Sequence, residues 1–112
     1  MASVATSLAP APLDTEALDE AAERAALLLR ALANPWRLRI LCAIVEAPLP
    51  VGAIAARIGA REALVSQHLM RLRAEGLVQG ERQAQSVIYR LADGPAALVL
   101  DALHRAFCAP AP

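Results

Sequence analysis

Apolar residues recur every three or four positions along most of the chain, the spacing of helices that bury one face. Leu18, Ala22, Ala25, Ala26, Leu29 and Leu32 form the first such stripe, opposite an acidic face, and Asp14 or Thr15 can cap the helix. Asn34 followed by Pro35 supplies a cap and a proline at the first helical position. The second helix opened there runs to about Glu46 and is closed by Pro48 and Pro50. A short third helix is predicted over 51–58, ending at Gly59, and a fourth over 62–75, ending at Gly76. The period then changes: Val87, Tyr89 and Leu91 alternate with Ile88 and Arg90, so 77–91 reads as a β-hairpin with a polar tip near Gln83 to Gln85. Gly94 and Pro95 introduce a last helix through about Phe107. The predicted order is α-α-α-α-β-β-α, mainly α with one small hairpin. Residues 1–13 are rich in Ala, Pro and Ser and uncharged, so they are expected to be a disordered tail. A single domain is expected over 14–108, with a second short tail at 109–112.

Composition narrows the class. Of the 112 residues, 57% are hydrophobic but only 3% aromatic, so the core must be built from Ala, Leu, Ile and Val. That length accommodates one domain and no second, catalytic one. No uncharged apolar run is long enough to span a membrane, and the N-terminus lacks a signal-peptide pattern, which points to the cytoplasm and no membrane partner. Two cysteines, Cys42 and Cys108, are too few for a secreted disulfide framework and are expected to be thiols in a reducing compartment.

A net charge of zero argues against a nucleic-acid partner until its distribution is read. Over 14–30, five acids (Asp14, Glu16, Asp19, Glu20 and Glu23) face only Arg24 and Arg30. Over 57–90 the balance reverses, with Arg57, Arg61, Arg71, Arg73, Arg82 and Arg90 against Glu62, Glu75 and Glu81. The chain has no lysine, so every side-chain ammonium is replaced by a guanidinium that can fork onto phosphate or guanine. Helices three and four, joined by a short glycine-containing turn, have the helix-turn-helix arrangement. Counting about 100° per residue, Val65, Leu69 and Leu72 share one side of the fourth helix. Ala63, Ser66, Gln67, Met70, Arg71 and Ala74 share the other, a face able to donate and accept at base edges.

Three strings carry a family resemblance: Leu32-Ala33-Asn34-Pro35-Trp36-Arg37-Leu38-Arg39-Ile40-Leu41, then 65–78 from Val65-Ser66-Gln67-His68 to Glu75-Gly76-Leu77-Val78, and Ile88-Tyr89-Arg90-Leu91. Together they resemble the ArsR/SmtB family. The resemblance implies a homodimeric winged helix-turn-helix repressor, not an enzyme, whose first and last helices form the dimer and whose partner is double-stranded operator DNA with an inverted repeat. The DNA contacts it implies are Ser66, Gln67 and Arg71 on the fourth helix, flanked by His68, with Arg61 at the helix entry and Arg82 beside the wing tip. Two positions depart from the family pattern: Ala60-Arg61-Glu62 replaces a Ser or Thr cap, and Ala84 stands at the wing tip where glycine is usual.

Relatives sense metals, metalloids or oxidants. A zinc site on the last helix would have only Asp101 and His104 as ligands here, and the Cys-x-Cys pair of the metalloid sensors is missing, so no metal and no cofactor are expected. Cys42 lies on the stripe Leu38, Leu41, Cys42, Val45, which also suits a structural thiol. Cys108 follows Phe107 near a helix end, where Arg105 and His104 could stabilise a thiolate. One cysteine in the second helix and one in the last resembles the SqrR/BigR branch, in which reactive sulfur species (persulfides) link the two and relieve repression. That resemblance implies Cys42 and Cys108 as sensor thiols, with an expected separation too long for an unstrained disulfide and spanned by added sulfur. A metal, metalloid or general-oxidant sensor using the same thiols is the alternative. A methyltransferase-type winged segment should be followed by a glycine-rich cofactor turn, which this sequence does not show, and a purely protein-binding winged helix does not account for the arginines.

Overall fold

The computed structural model describes residues 11–108. Helix α1 spans Thr15–Leu32, α2 Pro35–Glu46, α3 Val51–Ile58, α4 Glu62–Ala74 and α5 Pro95–Leu103. Strands β1 (Leu49–Pro50), β2 (Val78–Gln83) and β3 (Ser86–Leu91) form one antiparallel sheet in the order β1-β3-β2. Residues 1–10 of the expected N-terminal tail (1–13) and the expected tail at 109–112 lie outside the described residues.

The chain divides into two compact units at Leu32. In the first, the side chain of Asp14 accepts the amide of Ala17 at 2.8 Å, so Asp14 rather than Thr15 caps α1. Of the apolar stripe read from the sequence, Leu18, Ala22, Ala25, Ala26 and Leu29 are exposed and Leu32 is buried; Leu27, outside that stripe, is exposed as well.

In the second unit, Asn34 Oδ1 accepts from the amides of Trp36 (2.9 Å) and Arg37 (3.1 Å), and Pro35 needs no partner at the first position. Ile40, Leu41, Ile54, Val65, Leu69, Leu72 and Leu100 are completely buried and bring α2, α3, α4 and α5 onto one core. Gly59 closes α3 with φ 69°, and Gly76 turns the chain out of α4 with φ 77°, left-handed values that other residues adopt at a cost. Arg37 forks onto Glu75 with two 3.0 Å bonds, tying the start of α2 to the end of α4.

Two sequence expectations need correction. The sheet has three strands, because Leu49 pairs with Tyr89 and Pro50 with Ile88. Pro50 lacks an amide hydrogen and reads as a breaker, yet proline is tolerated on a short edge strand. The last helix is α-helical only to Leu103. His104–Cys108 form a π-helical turn, which changes the direction in which the final side chains leave the axis. At the wing tip, Ala84 takes φ 56°, so the glycine-type conformation is kept without glycine.

Candidate functional site

The side of α4 that carries Val65, Leu69 and Leu72 has no exposure at all, and this fixes the opposite side. Ala63, Ser66, Gln67, Met70, Arg71 and Ala74 are exposed along it. Short polar groups, one amide, one guanidinium and one thioether thus share a continuous convex surface on a helix held by the core. His68 lies between the two sides. Its Nδ1 is hidden from solvent without a hydrogen-bond partner among the described residues. Burial first, then the positive charges of Arg37 and Arg71, holds this imidazole below the usual histidine range, hence neutral. Arg61 occupies the cap position of α4 with no side-chain cap bond, leaving its guanidinium to project outward. Arg82 is exposed on β2, one residue before the end of the strand.

The second candidate site is a cleft of about 300 Å³ lined by Arg39, Cys42, Glu46, Arg57, His104 and Cys108. Cys42 does not belong to the buried stripe of α2, which runs through Ile40, Leu41, Ala43 and Ile44; it sits half-buried at the margin. Cys108 is exposed, and both are free thiols. The two thiols line the same cleft, and Cys108 is near enough to act on the ionisation of Cys42. Burial, then the neighbouring Cys108 and its hydrogen bond, then Glu46, push the Cys42 thiol up to about 11. At neutral pH Cys42 is therefore a protonated thiol.

The groups expected to assist Cys108 are engaged elsewhere. His104 Nε2 lies 3.0 Å from Glu46 Oε2, and Arg105 pairs with Asp101 at 3.1 Å one helical turn back. Neither is spent on a thiolate, because each finds a carboxylate within reach. Glu46 also receives Arg57 from α3 at 3.1 Å. The hydrogen bond from His104, followed by Arg57, holds its carboxyl below the usual range. Glu46 was not singled out from the sequence, although it follows Cys42 by four residues and so had to share its helix face. Arg39 stacks over Trp36, 4.6 Å from its ring centre, at the rim of the same cleft. Among the described residues no group of three or more His, Cys, Asp or Glu is arranged to hold a metal ion. No described helix is long and apolar enough to cross a membrane.

Residues 34–79 match the family model for the bacterial regulatory protein, arsR family. The chain is 36% identical over 98 residues to the transcriptional activator HlyU of Vibrio cholerae, covering 88% of this chain and 91% of that protein. Among solved structures, the transcriptional repressor BigR from Xylella fastidiosa superposes with a TM-score of 0.78 at 35% identity, covering 83% of this chain and 92% of that one. The homodimeric winged helix-turn-helix DNA-binding domain of Mb0332 from Mycobacterium bovis gives a TM-score of 0.67 at 28% identity, covering 86% and 87%. These relatives are DNA-binding transcriptional regulators rather than enzymes, and they include both an activator and a repressor. The extent of identity and the shared winged helix-turn-helix place this chain in the ArsR family of bacterial transcriptional regulators.

Proposed function

We propose that this regulator is a cytoplasmic homodimeric repressor whose operator binding is relieved when reactive sulfur species join Cys42 to Cys108. The observation that carries the reading is the pair of free thiols lining one cleft, one on α2 and one on the C-terminal turn. Exposed leucines on α1, together with exposed Leu98 and Phe107 near the C-terminus, support a dimer built by the first and last helices. Ser66, Gln67 and Arg71 read an inverted repeat in the major groove, with His68 beside them, and Arg61 and Arg82 contact phosphate.

The chemistry follows from accessibility. Exposed Cys108, as thiolate, attacks the outer sulfur of a persulfide, which expels the parent thiolate and leaves a persulfide on Cys108. Cys42 then attacks the Sγ of Cys108 itself, breaking its bond to the outer sulfur. A disulfide forms, and the outer sulfur leaves as hydrogen sulfide carrying the Cys42 proton. The incoming persulfide is the two-electron oxidant: one persulfide and two thiols give one thiol, one hydrogen sulfide and one disulfide. If both cysteines first acquire a sulfur, attack of one persulfide on the other expels hydrogen sulfide and leaves a three-sulfur bridge.

Such a bridge ties α2, which leads into α3 and α4, to the turn after α5. It releases DNA only by favouring a dimer whose two α4 helices no longer match successive major grooves. The test is operator binding by the wild type, Cys42→Ser and Cys108→Ser, before and after addition of glutathione persulfide. All three bind beforehand, and only the wild type lets go. Release from either single variant contradicts the mechanism.

A further inference from the structure

Met70 is the one large apolar side chain on the exposed face of α4, and it is 73% exposed. Its setting is unusual in a specific way. At 100° per residue it projects between Ser66 and Gln67 of the preceding turn, and the positions one turn on are Arg73 and Ala74, with Ala63 two turns back on the same line. Ser66 and Ala74, both short, leave the thioether standing proud of the surface, with no large apolar residue beside it to form a protein-docking patch. The core of the domain does not need it, since Val65, Leu69 and Leu72 fill the buried side. A protruding, flexible, polarisable side chain flanked by a hydroxyl and an amide suits a groove wall that offers hydrogen-bonding edges and one apolar group. In the major groove that apolar group is the C5-methyl of thymine.

We propose that Met70 is a specificity-determining residue that packs against a thymine methyl in each half-site of the operator, between the bases read by Ser66 and Gln67. The inference rests on the DNA-reading role given above to the exposed face of α4. It differs from that role in kind, because the contact is apolar, independent of salt and specific for a single methyl group. Phosphate contacts, by contrast, weaken every sequence alike.

The experiment first selects duplexes from a random pool with the wild-type dimer. Each thymine of the selected half-site is then replaced by deoxyuridine, which removes only the methyl. One thymine per half-site should weaken wild-type binding about fourfold when replaced, the loss expected for about one buried methyl, and about fifteenfold when replaced in both half-sites. Met70→Ala should bind the unmodified duplex more weakly by a similar factor and lose all sensitivity at that thymine. Met70→Leu should retain it. Since Met70 lies in solvent, an unchanged thermal transition shows that the variants are folded. If every thymine-to-deoxyuridine effect is the same in the wild type and in Met70→Ala, the Met70 contact is refuted while α4 can still be the reading helix. If the wild type selects no duplex at all, both readings fall together.

Discussion

His104 Nε2 and Glu46 Oε2 lie 3.0 Å apart, which pins the C-terminal π-helical turn to α2 one helical turn beyond Cys42. The same carboxylate holds Arg57 of α3, so one acidic residue links the thiol cleft to the helix that precedes α4. Removing the imidazole with His104→Ala should leave the fold intact but free the turn that carries Cys108. Bridging of the two cysteines by glutathione persulfide, followed by intact mass, should then slow, and operator release should slow with it. Equal rates in wild type and variant would show that the pair does not position the thiols.

Cys42 should be the slow thiol. With its pKa pushed up to about 11 by burial and by the neighbouring Cys108, its alkylation by iodoacetamide should rise about tenfold per pH unit from pH 7 to about 10, lagging exposed Cys108 throughout. The sign for stability follows from the same displacement. The folded-state pKa lies above the ordinary thiol value of 9.0, so the folded state holds its proton more tightly. The contribution is fully present below pH 9 and is lost as pH rises towards about 11. Chemical denaturation across that window should show the decline, and Cys42→Ser should flatten it.

Ala84 is the strained position of the wing. Its φ of 56° sits in the left-handed region that favours glycine, at the first residue of the two-residue connection between Gln83 and Ser86. Ala84→Gly removes a steric cost of about 1–2 kcal/mol and adds back some entropy to the unfolded chain, so a net gain of up to about 1 kcal/mol is expected. Denaturant titration reads it. A loss of stability would mean that the turn does not need glycine-type geometry.

Much of this fold was legible because its signals are local. Asn34-Pro35, Gly59 and Gly76 mark helix ends by backbone chemistry, and the period of Val65, Leu69 and Leu72 located the buried side of α4 without error. The signals that failed were non-local. Pro50 became a strand residue only because β3 lies beside it, and nothing within 47–51 announces that partner. His104 has thiolate-stabilising chemistry, but the carboxylate that claims it lies at Glu46, far off in sequence. In the same way Cys42 fits a buried stripe by spacing alone, whereas packing rotates α2 so that Ile40 and Ala43 go inward and the thiol meets the cleft.

Arg71 should contact phosphate or a base edge from the exposed side of α4. Arg71→Ala is expected to weaken operator binding and, for a phosphate contact, to reduce the slope of log affinity against log salt by about one unit per half-site. Affinity measured by fluorescence anisotropy at four salt concentrations decides the matter. Superimposable lines for wild type and variant would remove Arg71 from the interface.

The proposed joining of Cys42 to Cys108 within one chain is read most directly from the intact mass of the denatured protein after glutathione persulfide treatment and removal of excess reagent. The expected product is a monomeric chain that has lost two hydrogens, with a whole sulfur atom added for each one inserted, and a peptide map in which the residues around Cys42 and Cys108 are recovered as one cross-linked species. A protein that stays reduced, that links chain to chain, or that carries persulfides on separate unlinked cysteines while still releasing DNA would contradict it.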